Sequence, residues 1–223
     1  MKPAIQPAFY PFYVPLSISV LRDYESRFKV LLRFYAYPTS SCQESIIMAH
    51  FSRLQITLHW LTLLLTGIAY AAIELRGWAP KGSSVYLFMK DMHYDMGVLV
   101  WALIFLRLYL KHKYPAPAIT PPLPRWQQVA ATLVHIALYL TFLTLPLLGV
   151  AMMALSGKNW SFFGITVPVF LTSDSTLKSD IKRIHEVLAN IGYFLIAMHA
   201  AAALFHLYIQ KDDIFSRMLP GKS

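Results

Sequence analysis

Histidine is the residue type whose number and placement in this sequence point most directly to chemistry. The chain of 223 residues has eight histidines. Ionisable side chains inside a bilayer are costly and commonly mark functional sites. A single such histidine is usually a hydrogen-bonded packing residue, but six are too many for packing alone. The six that lie in or at the ends of long apolar stretches are His59, His93, His135, His185, His199 and His206.

Two of these histidines have a spacing that suits a membrane cytochrome. His185 and His199 are 14 residues apart, which is about 21 Å along a helix axis. Their side chains would differ by only about 40° around that helix. One helix would therefore present two imidazoles on one face, near opposite leaflets. Two haems stacked across a membrane need this arrangement, because each haem iron takes an axial imidazole on either side.

Other metal and thiol chemistry fits the sequence less well. Cys42 is the only cysteine, which excludes a disulfide scaffold, a CxxC motif and iron–sulfur clusters on internal cysteines. Zinc sites favour cysteines or histidines three to five residues apart, whereas His199 and His206 are seven apart. The Glu-x-x-His pattern of di-iron bundles is absent.

The composition indicates a membrane protein. Hydrophobic residues make up 57% of the chain and charged residues 14%, against about 25% charged in soluble domains. The net charge of +9 is interpreted as loops that face anionic lipid. No basic strip interleaved with aromatic residues appears, so no nucleic-acid partner is expected.

Four apolar stretches are long enough to cross a bilayer core of about 30 Å. They are residues 54–73, 93–110, 126–157 and 187–210. The segments between them, 74–92, 111–125 and 156–182, are polar or rich in proline. The predicted fold is therefore all-α, a transmembrane four-helix bundle, and four crossings place both termini on one side.

The direction of each crossing sets the depth of each histidine. His93 and His185 fall at the outer end and form one candidate pair for a haem. His59, His135 and His199 fall toward the inner end. There His199 could pair with His59 or with His135, and spacing alone leaves this choice open.

The distribution of Lys and Arg predicts that both termini are cytoplasmic. From Met48 onward, eight Lys and Arg lie on the side of the termini and seven on the other; with the residues before Met48 the count is 13 to 7. The positive-inside rule then favours cytoplasmic termini. The basic residues on the outer side include Lys90, Lys178, Lys182 and Arg183. Either they attract a small anion toward the membrane surface, or they only contact lipid headgroups.

Residues 1–47 do not resemble the rest of the chain. They contain several prolines and mixed charge, with no stretch long enough to cross a membrane. Met48 directly precedes the first apolar stretch. The hypothesis is that natural translation begins at Met48 and that 1–47 is a mis-annotated start; the alternative is a genuine, disordered extension. Residues 48–223 are then the cytochrome domain.

The chain from Met48 onward resembles the bacterial cytochrome b561 family of four-helix inner-membrane proteins. The resemblance rests on six ordered runs: SRLQITLHW at 52–60, IELRGWAP at 73–80, LKHKYPAPAITPPLP at 110–124, PLLGVAMM at 146–153, HEVLANIGY at 185–193 and HAAAALFHLY at 199–208. It implies two haems b per chain as cofactors. It also implies iron ligation by His59 with His199 at the inner haem, and by His93 with His185 at the outer haem.

The same resemblance implies electron transfer across a bacterial inner membrane. One family member is similar to a superoxide:ubiquinone oxidoreductase, so the expected partners are ubiquinone, superoxide or another small one-electron donor, and membrane lipid. His206 is the candidate catalytic residue, as a proton partner for quinone. His135 and Arg107 are secondary candidates, and Arg107 could instead pair with a haem propionate.

Two other functions remain open at this point. The main alternative is a haem-bearing electron-transfer membrane subunit that serves a partner dehydrogenase or hydrogenase. A haem-free packing or transport protein is the third, and the paired histidines argue against it.

Overall fold

The computed structural model describes residues 51–119 and 122–219. The hypotheses about residues 1–47 and about Met48 as the natural start therefore lie outside the described residues.

Four helices of the described part are long and apolar enough to cross a membrane, which confirms the predicted all-α bundle. They are α1 (Arg53–Leu75), α2 (Ser84–Lys113), α3 (Arg125–Ala154) and α4 (Ser175–Phe205). A 3-10 turn at Arg76–Trp78 follows α1, and a π-helical turn at His206–Gln210 continues α4.

Polar caps place the helix starts outside the apolar stretches. Ser52 forms a reciprocal capping box with Gln55 at the start of α1, and such a box satisfies two free backbone N–H groups. Ser83 and Asp174 accept backbone N–H bonds at the starts of α2 and α4. Helices α2 and α4 therefore begin within the polar segments 74–92 and 156–182, before their apolar parts.

Backbone packing is closest between helices that follow each other in the chain. Few side chains are buried, and these include Ile104 on α2 and Leu145 on α3. Large apolar side chains such as Leu64, Leu133 and Phe194 are at least 60% exposed. In a protein of this composition that surface is the one that faces lipid.

A short β-hairpin interrupts the otherwise helical chain. Strand β1 (Trp160–Phe162) pairs antiparallel with β2 (Ile165–Val167), with Phe162 opposite Ile165. The two turn residues, Phe163 and Gly164, have φ of 47° and 80°. Two successive positive φ angles are the mark of the tight type I′ hairpin turn.

The segment after α4 folds back onto the bundle. Lys211 adopts the left-handed conformation and ends the π turn. The buried Arg217 side chain binds the Asp213 carboxylate at 2.9 Å and donates to the carbonyls of Pro117 and Ala118. The indole N–H of Trp60 donates to the Met218 carbonyl at 2.6 Å. The C-terminal segment is thus fixed against the α2–α3 connection and against α1 beside His59.

One glycine on α4 is required by a side chain that crosses the bundle. The Tyr70 hydroxyl on α1 donates to the Ala189 carbonyl at 3.0 Å. A Cβ at Gly192 would lie 2.5 Å from that hydroxyl oxygen. The close approach of the Tyr70 side chain to the backbone of α4 therefore depends on the absence of a side chain at position 192.

Replacing Gly192 with alanine should destabilise the protein. The added methyl displaces the Tyr70 hydroxyl and leaves a polar group without its partner, at a cost of about 1–3 kcal/mol. We expect a lower thermal unfolding midpoint in detergent. Gly67→Ala is the matched control, because Gly67 is exposed and a Cβ there meets no atom within 4 Å. Equal midpoints for the two variants would contradict this role of Gly192.

Candidate functional site

The first candidate site, called here the His93 site, consists of His93 on α2 and His185 on α4. Their ring centroids lie 6.3 Å apart with the ring planes at 74°. The sequence-predicted pair is therefore brought together in space.

The His93 ring is held in one orientation by a backbone carbonyl. Its Nδ1 lies 2.8 Å from the Ala69 carbonyl oxygen. A carbonyl can only accept, so Nδ1 carries the proton and Nε2 carries the free lone pair. Metal-binding histidines commonly use this arrangement, in which the second nitrogen fixes the tautomer and the ring direction.

The His185 ring lies against α3. Its Nδ1 is buried and has no hydrogen-bond partner of good geometry among the described residues. The nearby polar group is the backbone carbonyl of Leu145 on α3. A Cβ at Gly149 would lie 3.8 Å from Cε1 of His185. Gly149 therefore leaves this flank of the imidazole uncovered by a side chain.

The two imidazoles open into a cavity with a mostly apolar lining. Two small residues, Gly97 and Ala189, line this cavity, whereas Gly192 does not. Its remaining lining is mostly apolar and includes Thr66, Val98, Val100, Phe142, Pro146, Val150, Met153 and Trp160.

The second candidate site, called here the His59 site, contains three imidazoles. His59 on α1 and His199 on α4 have ring centroids 6.2 Å apart. His135 on α3 lies closer to His199, at 5.3 Å. The two partners that spacing left open for His199 are thus both adjacent to it.

The ring separations allow a test of whether one iron fits between two rings. Metal–imidazole bonds are about 2 Å long, so two imidazole nitrogens that bind one iron from opposite sides lie about 4 Å apart. The two ring centroids lie farther apart than the two nitrogens. The separations of 6.3 Å at the His93 site and 6.2 Å between His59 and His199 fit this requirement. The 5.3 Å between His135 and His199 leaves less room.

A guanidinium contacts the His59 ring. Nη2 of Arg107 lies 3.1 Å from Nδ1 of His59. Arginine only donates, so Nδ1 accepts here and the ring proton lies on Nε2. Ligation through Nε2 needs the opposite tautomer and requires Arg107 to release Nδ1. The Tyr139 ring lies 5.9 Å from Arg107 and offers the guanidinium a second contact.

In the described part of the chain, no three His, Cys, Asp or Glu side chains are grouped so that they could hold one metal ion. The facing pairs His93–His185 and His59–His199 suit the two axial positions of a haem iron.

His206 lies outside both sites and has a carboxylate partner. Its Nδ1 is 2.6 Å from Oδ2 of Asp212, and the two side chains are 13% and 24% exposed. The π turn at His206–Gln210 and the reversal at Lys211 bring them together. Local π-helical geometry is frequent at functional sites. A histidine with a fixed carboxylate partner can donate and accept a proton.

The basic residues near the His93 site differ in their partners. Lys182 pairs with Glu186 and Arg183 with Asp180, both at 2.6 Å and both exposed. Nζ of Lys90 instead lies 5.8 Å from the centre of the Tyr94 ring, and Tyr94 lines the cavity. Lys90 thus contacts a residue that lines the cavity, whereas nearby carboxylates offset the charges of Lys182 and Arg183.

Sequence reasoning missed three groups that the structure places beside the candidate residues. They are the Ala69 carbonyl at His93, Trp160 in the cavity wall and Asp212 at His206. The backbone carbonyl leaves no signal in a sequence, and the other two reach their places only through a hairpin or a turn.

Comparison with known proteins adds independent information. The sequence model of a family described as prokaryotic cytochrome b561 matches residues 50–221. Cytochrome b561 homolog 1 of Escherichia coli K12 is 61% identical over 78% of this chain and 99% of its own length. The Yersinia pestis protein named "Probable superoxide oxidase CybB" is 39% identical over 77% and 97% of the two chains. Cytochrome b561 homolog 2 of E. coli K12 is 30% identical over 74% and 88%.

Proposed function

Because this chain belongs to the prokaryotic cytochrome b561 family of multi-pass bacterial membrane proteins that bind haem b and transfer electrons, we propose that it passes electrons from a small donor outside the inner membrane to ubiquinone. The observation that carries this proposal is two pairs of facing imidazoles at two levels of α4. The α4 members of these pairs, His185 and His199, lie about 21 Å apart along that helix.

Two haems b per chain are the proposed cofactors. His93 and His185 hold one, and His59 and His199 hold the other. Each bound haem supplies reversible one-electron chemistry at its iron, and its axial ligands tune the potential. The Ala69 carbonyl keeps Nε2 of His93 available for the iron. The longer separation from His199 favours His59 over His135 as the second ligand.

In the proposed orientation both termini are cytoplasmic and the His93 site faces the outer side. The excess of Lys and Arg on the side of the termini supports this. The donor then enters at the His93 site, and quinone is reduced near the C-terminal segment that carries Asp212.

Superoxide is the proposed donor, by similarity to the Yersinia relative. Two superoxide anions each lose one electron and leave as O₂. One ubiquinone gains the two electrons and takes up two protons to become ubiquinol. The chain's own residues must therefore attract an anion at one end and supply protons at the other.

Lys90 is the residue we expect to attract the anion. A cation at the mouth of a low-dielectric cavity raises the encounter rate of small anions. Lys90→Gln should lower the superoxide-driven rate about threefold at low ionic strength, and less in high salt. The measurement is the initial rate of quinone reduction at two salt concentrations.

Lys182→Gln is the matched control for Lys90→Gln. It removes the same charge from the same side of the bundle, but Glu186 already offsets that charge. If Lys182→Gln slowed the reaction as much as Lys90→Gln, general surface charge rather than Lys90 would attract the donor.

His206 is the proposed proton donor to quinone. It follows His199 by seven residues, or about 10 Å along the helix, which places it toward the lipid interface on the quinone side. Asp212 holds its Nδ1 and leaves Nε2 for the substrate. An imidazole held in this way suits general acid catalysis.

The proposed function is tested with the purified, haem-loaded chain alone. An enzymatic superoxide source is added with ubiquinone-1, and quinol formation is followed by absorbance. Quinol that forms at a rate set by the superoxide supply, and that vanishes with superoxide dismutase, supports the proposal. Haem that is reduced by dithionite while no quinol forms from superoxide would overturn it and favour a subunit that depends on a partner dehydrogenase or hydrogenase.

A further inference from the structure

The β-hairpin of Trp160–Val167 is strained at its turn. Phe163 has φ of 47°, a left-handed conformation that is unfavourable for a bulky side chain. Type I′ turns normally place Asn or Asp before Gly, whereas this turn is Phe163–Gly164. Strained backbone persists only where surrounding contacts hold it in place, and it often marks a functional site.

The contact that holds this turn comes from the helix that carries His93. The backbone N–H of Phe163 donates to Oδ1 of Asp95 at 3.1 Å. Asp95 lies two residues after His93 on α2. At the base of the hairpin the Val169 N–H donates to Oδ1 of Asn159 at 3.0 Å. The turn is thus bound to α2, the helix that carries His93. The base of the hairpin is held by a hydrogen bond between its own two flanking residues, Asn159 and Val169.

The hairpin contributes one side chain to the wall of the His93 cavity. Among the described lining residues, Trp160 alone comes from outside the four helices. Its side chain is half-buried. The helical part of the wall is fixed by the bundle, whereas the position of Trp160 depends on the hairpin.

We propose that the hairpin is a cover over the His93 site, in which Trp160 sets the size of donor that can reach the cofactor and Asp95 is the positioning residue that holds the cover in place. This inference rests on the proposed entry of electrons at the His93 site. The substrate class that follows is a small one-electron donor of a few atoms. Larger reductants, including carrier proteins, are kept at a distance by the indole.

The test compares one reductant in two sizes on the haem-loaded protein. Reduced methyl viologen is used free and attached to dextran, and haem reduction is followed by stopped-flow absorbance. In the wild type the free form should be at least ten times faster at the outer haem. Asp95→Ala and Trp160→Ala should each bring the ratio of the two rates close to one. Asp95→Asn keeps an acceptor oxygen, and Trp160→Phe keeps an aromatic wall, so both should retain the ratio.

A rescue variant separates the strain from other effects of Asp95. Phe163→Asn creates the favoured Asn-Gly turn, which needs no support from the carboxylate. The double variant Asp95→Ala with Phe163→Asn should therefore recover the wild-type ratio. Hydrogen exchange at the amide of residue 163, measured by mass spectrometry, should speed up in Asp95→Ala, where the amide loses its acceptor.

Two results would contradict the proposal that the hairpin covers the His93 site. One is an unchanged ratio in Trp160→Ala with normal haem content, and this variant decides the matter if Asp95→Ala fails to fold. The other is an unchanged ratio in Asp95→Ala although exchange at residue 163 has increased. Failure of the proposed function is distinct, because it appears as haem that dithionite reduces while no quinol forms from superoxide, whatever the ratio of the two viologen rates.

Discussion

The purified His199→Ala variant is expected to contain about one haem b per chain, half the wild-type content. His199 is the imidazole of α4 that faces both His59 and His135, so its loss leaves no axial ligand from α4 at that end. The His93 site lies at the other end of the helix and keeps its haem. The measurement is a pyridine haemochrome count together with the spectrum of the reduced protein.

His135→Ala is the matched control for this prediction. It removes the nearer neighbour of His199 from the same cluster, yet both haems should remain, because His59 is the proposed second ligand. A His135→Ala protein that loses a haem while His59→Ala keeps both would reverse the assignment of the pair. A His199→Ala protein with two haems and unchanged bands would remove His199 from the ligand set.

His206→Ala is expected to lower quinone reduction about 100-fold, with unchanged haem content. General acid catalysis by a positioned imidazole typically contributes a factor of this size or more. Asp212→Asn should have a smaller effect, about tenfold, because it keeps a hydrogen-bond acceptor but loses the charge that fixes the imidazole. The measurement is quinol formation at saturating superoxide, with the haem spectrum as a check on folding.

The control for His206→Ala is His112→Ala. His112 is an exposed histidine in the last turn of α2, on the same proposed side of the membrane, and it should be dispensable. Full quinone reductase activity in His206→Ala would remove the proposed role of this residue. Equal losses in both variants would point to a general effect of charge at this surface.

The four crossing helices could be predicted because the bilayer imposes a length and a polarity that hydropathy shows directly. The same criterion could not find where α2 and α4 begin. Their first turns lie outside the apolar stretches and depend on caps at Ser83 and Asp174. Such caps are visible only once a helix is assumed.

The hairpin escaped sequence analysis for a different reason. Its turn is Phe163–Gly164, which lacks the Asn-Gly or Asp-Gly signature of a two-residue turn. The Asp95 carboxylate on a distant helix holds it, and a tertiary contact of this kind cannot be seen in a local pattern.

The sequence predicted that the histidines lie at two levels of the bundle, but it did not predict which histidine pairs with His199. The spacing of His185 and His199 gives two levels on one helix face. The distances of His59 and His135 from His199 depend on how α1 and α3 are arranged around α4, and the spacing of residues in the sequence does not give that arrangement. Asp212 was also hidden, because six residues along a regular helix would place it about 240° around from His206. The π turn and Lys211 bring the two together.

The central claim is that two imidazole pairs in this chain hold two haems b, one toward each face of the membrane. The most direct test is a pyridine haemochrome assay on the purified wild-type chain after haem-replete expression, scaled to polypeptide by amino-acid analysis. The account predicts about two haems b per chain. A count of one or none in a folded preparation would contradict it.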